Sequence, residues 1–206
     1  MSSARPRLAD VTVGAVALQR LGELAWSKRN ERRLLERGAV EHGRSHYPAM
    51  VALHVGWLAS TLFEARRRTG VPTTVRAMAF GAFVAAQPLR YWAIASLGDR
   101  WSTRVLIPPE ENAVTTGPYR WLDHPNYVAV VAELAAVPLM LGAWRTAIWA
   151  TVANAAVLRT RLAVERSALA DAESPPTDRQ DVGSRPRSAL PTRSRATNGT
   201  TSPDRS

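Results

Sequence analysis

Cysteine is absent from this 206-residue chain, and lysine occurs once, at Lys28. A chain without cysteine has no disulfide framework and no thiolate metal site, so we expect no bound metal. Arginine supplies nearly all the positive charge, and the formal net charge is +10. Such a charge raises the question of nucleic-acid binding. The arginines, however, form short clusters between apolar stretches, as at Arg66–Arg68, a pattern typical of loops that flank membrane helices. We therefore predict no nucleic-acid partner.

Apolar residues are scarce at the C-terminal end of the chain. From Asp171 to Ser206 the sequence consists mainly of Pro, Ser, Thr, Arg and Asp. A segment of this composition cannot bury enough apolar surface to offset the entropy lost on ordering. We therefore predict that residues 1–170 form the folded domain and that residues 171–206 form a disordered polar tail.

The mean hydropathy is slightly negative, but several local windows are long and apolar. About 20 apolar residues are needed to span a bilayer, and the last two windows are separated only by a break at Gly142. We therefore predict an all-α membrane protein with about five transmembrane helices, or four as the alternative. The windows are Pro48–Ala65, Thr74–Leu97, Tyr127–Ala143 and Trp144–Leu158, with Val11–Trp26 as a weaker candidate.

Two charged residues inside these windows favour a different interpretation, a soluble helical bundle. Arg90 and Glu133 would each cost about 2.5–3.5 kcal/mol at the centre of a membrane helix. They are either functional residues or partners of each other. If the helices do span, the loops Ser27–Tyr47 and Gly98–His124 share one face, which carries more arginine than the other. The positive-inside rule then predicts an integral membrane protein with this face in the cytoplasm. The arginine-rich, lysine-poor composition suggests that the membrane is the plasma membrane of a bacterium.

The segment Thr115–Tyr127 reads TTGPYRWLDHPNY. Gly117 and Pro118 indicate a turn, and Pro125 suits the first turn of a following helix. The N-terminus of that helix offers free N–H groups and a positive dipole end to a carboxylate. Purely structural interpretations also exist, because its aromatic residues could lie at a membrane interface and His124 could cap the helix.

This segment, followed by an apolar hairpin, Asn154 and RLAVE (Arg161 to Glu165), closely resembles the isoprenylcysteine carboxyl methyltransferase family. The resemblance extends from about Leu97 to Leu169. Features of the N-terminal half resemble a bacterial branch that includes alkylpyrone and alkylresorcinol O-methyltransferases, which act beside type III polyketide synthases. These features are Ser27–Asn30, Gly38–Glu41, His46–Pro48 and His54.

The resemblance implies that the chain binds S-adenosylmethionine. The implied cofactor pocket lies on the cytosolic side, between the loop that joins helices three and four and the C-terminal end of helix five. The resemblance also implies that Arg161 faces the methyl acceptor. Two positions depart from the family pattern, because Asp123 stands where many members have arginine and Arg166 where many have a second acidic residue. By motif match the cofactor-binding residues are Ala113, Val114, Tyr119, His124, Pro125, Asn126, Tyr127 and Glu165.

The chemistry of methyl transfer leaves the acceptor open. A carboxylate nucleophile, as in prenylcysteine, needs no base, and Arg161 could orient it by a bidentate contact. A phenol or enol needs a base, for which His124, Glu133 and His54 are candidates. We predict a long-chain phenol or pyrone acceptor, with Arg161, His124 and Glu133 as the catalytic residues. The expected partners are membrane lipid, a lipophilic small molecule and a polyketide synthase upstream in the pathway. Prenylcysteine is the alternative acceptor, and a non-catalytic membrane scaffold is the alternative of another class.

Overall fold

The computed structural model describes residues 4–44, 47–67, 70–108 and 114–173. These residues form five α-helices and one pair of short strands. The tail predicted from residue 171 onward lies outside the described residues, except that the last helix continues to Glu173. The elements are α1 (Ala4–Glu36), β1 (Val40–His42), α2 (Tyr47–Ala65), α3 (Thr73–Leu97), β2 (Val105–Ile107), α4 (Pro125–Leu141) and α5 (Trp144–Glu173), with 3-10 turns at Gly98–Arg100 and Gly117–Arg120.

Local sequence signals explain both ends of α4. Pro125 begins the helix, where its missing N–H costs no hydrogen bond. Gly142 ends it in a left-handed conformation with φ 89°, and its N–H donates to the carbonyl of Leu139 at 3.0 Å. Helix α5 begins two residues later, at Trp144. The predicted break at Gly142 between two consecutive helices is therefore confirmed.

Small residues bring α3 and α4 together, and this is the most extensive helix pair of the described residues. Ala79, Ala86 and Ala93 are buried along α3. Their spacing of seven places them on one face of the helix. Ala129 and Ala136 are buried on α4, also seven apart. Short side chains at these positions allow the two helix backbones to approach closely.

The main hydrophobic core joins α1, α2, α4 and α5. Trp57 of α2 is its largest member and is 1% exposed. Its indole N–H donates to the carbonyl oxygen of Leu134 at 3.1 Å, so the ring packs without leaving a buried donor unpaired. Around it lie apolar residues of α1 and α4, which include Val13, Val16 and Val137.

The prediction of about five transmembrane helices is wrong. Within the described ranges, no helix is both long enough and apolar enough to cross a membrane. Helix α4 has 17 residues, which at 1.5 Å per residue is about 26 Å, against a hydrocarbon core of about 30 Å. The longer helices carry ionisable residues along their length, among them His54 and Glu64 of α2 and Arg76 and Arg90 of α3.

The description of the fold as all-α is also incomplete. Strands β1 and β2 pair in antiparallel register, with Val40 opposite Ile107 and His42 opposite Val105. The strands are three residues long and lie far apart in sequence, so no alternating pattern marks them. Their pairing ties the segment after α1 to the segment after α3.

A charge-balanced polar network lies between α1, α3 and α4. Arg90 donates from Nε and Nη2 to the two carboxylate oxygens of Glu23, at 2.7 and 2.5 Å. Glu133 accepts from Arg20 and from Gln87, the latter at 2.6 Å. Nη1 of Arg90 lies 3.5 Å from Glu133, so the alternative in which Arg90 and Glu133 pair is confirmed. Burial raises the pKa of Glu23, but the contacts with Arg90 and Arg20 outweigh burial and lower it.

Candidate active site

A cavity of about 330 Å³ lies where the segments after α3 and before α4 meet α5. This volume is at the lower end of the usual range for small-molecule sites, about 300–1,000 Å³. The walls combine apolar, aromatic and charged side chains. The lining residues are Leu97, Arg100, Trp101, Ser102, Arg104, Val105, Leu106, Ile107, Pro108, Val114, Tyr119, Asp123, His124, Asn126, Tyr127, Arg161 and Glu165.

Three lining side chains are joined by hydrogen bonds. Nε of Arg161 donates to the hydroxyl oxygen of Tyr127 at 2.8 Å. That hydroxyl donates to a carboxylate oxygen of Glu165 at 3.2 Å. Arg161 and Glu165 are four residues apart on α5 and therefore lie on one face of the helix. Tyr127 belongs to the first turn of α4, so the N-terminal end of α4 and the C-terminal part of α5 meet at the cavity.

The guanidinium of Arg161 is also held from a second side. Nη1 donates to the backbone carbonyl of Thr103 at 2.7 Å and lies 3.5 Å from the sulfur of Met50. The remaining terminal nitrogen, Nη2, finds no acceptor among the described residues. Because Arg161 lines the cavity, Nη2 is the part of the group available to an oxygen of a bound ligand.

His124 precedes α4 and stacks on Tyr127, with the ring centroids 4.9 Å apart and an interplanar angle of 13°. His124 occupies the N-cap position, but in the described part of the chain its side chain makes no capping bond. His124 therefore lies at the N-cap position, as the capping interpretation predicts, but its imidazole does not cap the helix. Stacking orients the ring at the cavity wall, where its nitrogens can exchange a proton with a ligand.

The two lining tyrosines are weak acids in this setting. Burial raises the pKa of Tyr127 to about 12, and the Arg161 cation only partly opposes this effect. Burial also raises the pKa of Tyr119 to about 12, with Tyr127 and Glu165 as further contributors. Both phenols stay protonated at neutral pH, so Tyr127 acts as a hydrogen-bond donor to Glu165 and not as a base.

The first turn of α4 also presents groups with spare hydrogen-bonding capacity. The side-chain oxygen Oδ1 of Asn126 is buried and has no partner in the described part of the structure. Asn126 lines the cavity in the first turn of α4, where the backbone N–H groups of Tyr127 and Val128 both donate to the carbonyl of His124. A buried polar atom without a partner is unusual in proteins, and its place in a cavity wall indicates a position where a ligand donates a hydrogen bond.

Most of the residues singled out in the sequence lie together at the cavity. Of the predicted set, Pro125 is buried at the start of α4 and does not line the cavity, and Ala113 lies outside the described residues. Glu133 belongs to the polar network, and the catalytic role predicted for it has no support in this arrangement. The predicted residues that line the cavity are Val114, Tyr119, His124, Asn126, Tyr127, Arg161 and Glu165.

The sequence placed the loop after α3 at the cofactor pocket but singled out none of its residues from Leu97 to Pro108, which form one wall of the cavity. Thr103 left no sequence signal because it contributes a backbone carbonyl, which every residue carries. The only sequence signal for this loop is the polar run Ser102, Thr103 and Arg104 after an apolar helix. Such a run is typical of a loop with specific hydrogen bonds.

Comparisons with known proteins relate the chain to one family and to two uncharacterized proteins. The model of the isoprenylcysteine carboxyl methyltransferase (ICMT) family matches residues 77–171, which include α4, the cavity segment and the Arg161–Glu165 pair. The uncharacterized protein YpbQ of Bacillus subtilis is 33% identical over 157 residues, which cover 76% of this chain and 94% of that protein. An uncharacterized protein of Haemophilus influenzae is 22% identical over 161 residues, or 78% of this chain and 94% of that one. No solved structure matches the chain.

The match to the family model spans the residues that line the cavity. The family assignment made from the TTGPYRWLDHPNY and RLAVE motifs is thereby confirmed. The chain belongs to the isoprenylcysteine carboxyl methyltransferase family, a membrane-associated family of methyltransferases whose methyl donor is S-adenosylmethionine.

Proposed function

We propose that this protein is an S-adenosylmethionine-dependent O-methyltransferase whose acceptor is a lipophilic small molecule, a long-chain phenol or pyrone. One observation carries the proposal. Tyr127, Arg161 and Glu165 come from two helices and are joined by hydrogen bonds at the wall of one cavity. An isolated surface ion pair would need no such cavity and contributes little to stability.

The residues present fit the cofactor. The carboxylate of Glu165 can accept hydrogen bonds from the hydroxyl or ammonium groups of the cofactor. The buried Oδ1 of Asn126 can accept a further hydrogen bond from it. The positive dipole end at the start of α4 suits its carboxylate, and Tyr119 adds an aromatic surface. When bound, S-adenosylmethionine supplies an electrophilic methyl group. The protein has to align the acceptor oxygen with that methyl and exclude water from the cavity.

The acceptor end is assigned to Arg161 and His124. Arg161 presents Nη2 to the acceptor oxygen and holds it in place. Among the three candidate bases in the described residues, His124 is the one that lines the cavity. His54 is half-buried on α2, where burial lowers its pKa and its Nδ1 bonds to the carbonyl of Met50 at 2.9 Å. His124 therefore takes the phenol proton in this proposal.

A second acceptor class remains favoured by one feature. Nη2 of Arg161, for which the described residues provide no acceptor, also suits a carboxylate, such as that of a prenylated cysteine, which requires no base. With that acceptor, His124→Ala would keep most of the activity. With a phenol or pyrone acceptor the same change removes the base, for which a loss of about 10²–10⁴-fold is typical. A non-catalytic scaffold, the alternative of another class, would bind no cofactor.

The location proposed is the cytoplasmic side of the bacterial plasma membrane. The support is the membrane association of the family and the exposure of large apolar side chains, among them Met78, Phe80 and Val152. A lipid-like acceptor would be concentrated there. Because the chain has no cysteine, single cysteines introduced near the cavity and labelled from either side of the membrane would report its orientation.

Binding of S-adenosylmethionine to the purified protein tests the proposal. We expect titration calorimetry to show binding by the wild type and weaker binding by Glu165→Ala. The absence of binding by the wild type would overturn the enzyme assignment. Methyl transfer to an alkylresorcinol, an alkylpyrone and a farnesylated cysteine analogue then separates the acceptor classes, and His124→Ala reports whether a base is needed.

A further inference from the structure

We infer that three buried polar residues of α1, Ser27, Asn30 and Glu31, are positioning residues of the site. They hold the segment Trp101–Arg104 so that the carbonyl of Thr103 fixes the guanidinium of Arg161. The expected effect on catalysis rests on the proposed methyl transfer. The hydrogen bonds that hold the segment to α1 do not depend on that function.

Asn30 anchors the start of this segment. It is completely buried, and its side-chain Nδ2 donates to the carbonyl oxygens of Gly98 at 3.1 Å and of Trp101 at 2.9 Å. One amide group therefore satisfies two carbonyls of the chain that leaves α3. Loss of these bonds would leave the Nδ2 group unpaired, which costs about 1–3 kcal/mol. Oδ1 of the same side chain is buried and has no partner in the described part of the structure.

Ser27 and Glu31 hold the next two residues of the segment. Oγ of Ser27 donates to Glu31 at 2.7 Å and accepts the backbone N–H of Thr103 at 2.8 Å. Glu31 also accepts from the hydroxyl of Ser102 at 3.2 Å. The backbone N–H of Thr103 and the side chain of Ser102 are thus both bonded to one turn of α1. Ser27 itself has no exposed surface.

The chain of contacts then reaches the cavity. The N–H of Thr103 is fixed by Ser27, and the carbonyl of the same residue accepts from Nη1 of Arg161 at 2.7 Å. Nε of Arg161 is fixed by Tyr127. The guanidinium is therefore held on one side by α4 and on the other by α1 through Thr103. Because Arg161 lines the cavity, these two contacts fix the orientation of a guanidinium in its wall.

Position along α1 supports a specific role. Ser27, Asn30 and Glu31 are separated by three and four residues and so share one helix face, which turns toward the loop after α3. A purely structural role would stabilise the fold and leave Arg161 unaffected. A positioning role makes the effect of these residues on catalysis depend on Arg161, and a double-mutant cycle measures that dependence.

The test compares Ser27→Ala with Ser27→Thr, which keeps the hydroxyl, and with Ser60→Ala as a matched control. Ser60 is a half-buried helix serine whose hydroxyl bonds within its own helix. We expect Ser27→Ala to lower kcat/KM for the acceptor about 10- to 100-fold, because small misplacements have effects of this size. Ser27→Thr should retain most of the activity, and the dissociation constant for S-adenosylmethionine should change less than threefold in both variants.

In an Arg161→Lys background, the additional loss caused by Ser27→Ala should disappear. Hydrogen exchange gives a readout besides activity. We expect the amides of residues 101–104 to exchange faster in Ser27→Ala than in wild type, and to be unchanged in Ser27→Thr and Ser60→Ala. Wild-type exchange and kinetics in Ser27→Ala, or a loss that is fully additive with Arg161→Lys, would overturn the inference. If Ser27→Ala does not fold, Ser102→Ala removes the neighbouring bond to Glu31 and tests whether α1 holds the same segment. If the wild type is inactive but Ser27→Ala still shows faster exchange of residues 101–104, the proposed function is refuted and the positioning of this segment by α1 is not.

Discussion

The hydroxyl of Tyr127 accepts a hydrogen bond from Arg161 at 2.8 Å and donates one to Glu165 at 3.2 Å. A phenol has one proton to donate, so this proton is committed to Glu165 and a lone pair to Arg161. The hydroxyl thereby connects the residue proposed to hold the cofactor with the residue proposed to hold the acceptor. Replacing Arg161 should therefore alter the contact of Tyr127 with Glu165, and replacing Glu165 should alter its contact with Arg161. Three independent side chains would show no such coupling.

Replacing Glu165 by Ala should weaken S-adenosylmethionine binding by about 10- to 150-fold. Hydrogen bonds to charged groups contribute about 1.5–3 kcal/mol, and 1.4 kcal/mol corresponds to a factor of ten. Titration calorimetry measures the change. Asp10→Ala is the control, because Asp10 is exposed and pairs with Arg66. Equal affinities for wild type and Glu165→Ala would remove Glu165 from the cofactor site.

Alkaline pH should destabilise the protein through its lining tyrosines. The pKa of Tyr127 is raised to about 12 from its ordinary value of 10. The folded state favours the protonated phenol, so its contribution is complete below about pH 10 and is lost as pH rises through 12. We expect the free energy of unfolding, measured with urea between pH 9 and 11, to fall less steeply in Tyr127→Phe than in wild type. The exposed Tyr91→Phe serves as control, and identical slopes for wild type and Tyr127→Phe would contradict the expectation.

Gly117→Ala should loosen the turn that carries Tyr119. Gly117 has φ +60°, and an added Cβ would overlap the hydroxyl of Ser96 and lie 3.1 Å from Nε1 of Trp92. The left-handed backbone alone costs about 1–2 kcal/mol for an L-residue. We expect a lower melting temperature and weaker cofactor binding. Gly81→Ala is the matched control, since nothing lies within 4 Å of its added Cβ, and helix propensity should stabilise it by about 0.5–1 kcal/mol. Equal stability of the two variants would refute the assigned role.

Removing one charge from the network between α1, α3 and α4 should be more harmful than removing two. Arg90→Met leaves Glu23 and Glu133 with only Arg20 as a cation, and breaking a buried pair in this way costs about 3–5 kcal/mol. The double variant Arg90→Met with Glu23→Met restores the charge balance. We expect chemical denaturation to show the double variant to be more stable than Arg90→Met. The opposite order would mean that packing, not charge, dominates at this position.

Local signals in the sequence predicted several parts of the structure. Pro125 and Gly142 specify the ends of α4 through backbone conformation, and the four-residue spacing of Arg161 and Glu165 places them on one helix face. The cavity residues of the TTGPYRWLDHPNY segment were found through its resemblance to the isoprenylcysteine carboxyl methyltransferase family. These features depend on neighbours in the sequence, which is why they could be identified without a structure.

The features that were missed depend on partners far away in the chain. Hydropathy windows counted apolar residues but could not show that Arg90 pairs with Glu23 of α1, 67 residues earlier. The strand pair joins segments of three residues, too short for a pattern. Helix α1 runs from Ala4 to Glu36, although only Val11–Trp26 is apolar enough to have been noticed. Its buried polar face has a meaning only once the loop after α3 is in place.

The polar network and the Thr103 contacts also determine the order in which the molecule can be completed. Arg20 and Glu133 are 113 residues apart, and Ser27 and Thr103 are 76 apart. Such distant contacts require large loops to close and generally slow folding compared with local helix pairs. A chain emerging from the ribosome can build α1 to α4 before Arg161 has been synthesised. We therefore expect the helical scaffold to form first and the pocket to close last, when α5 docks.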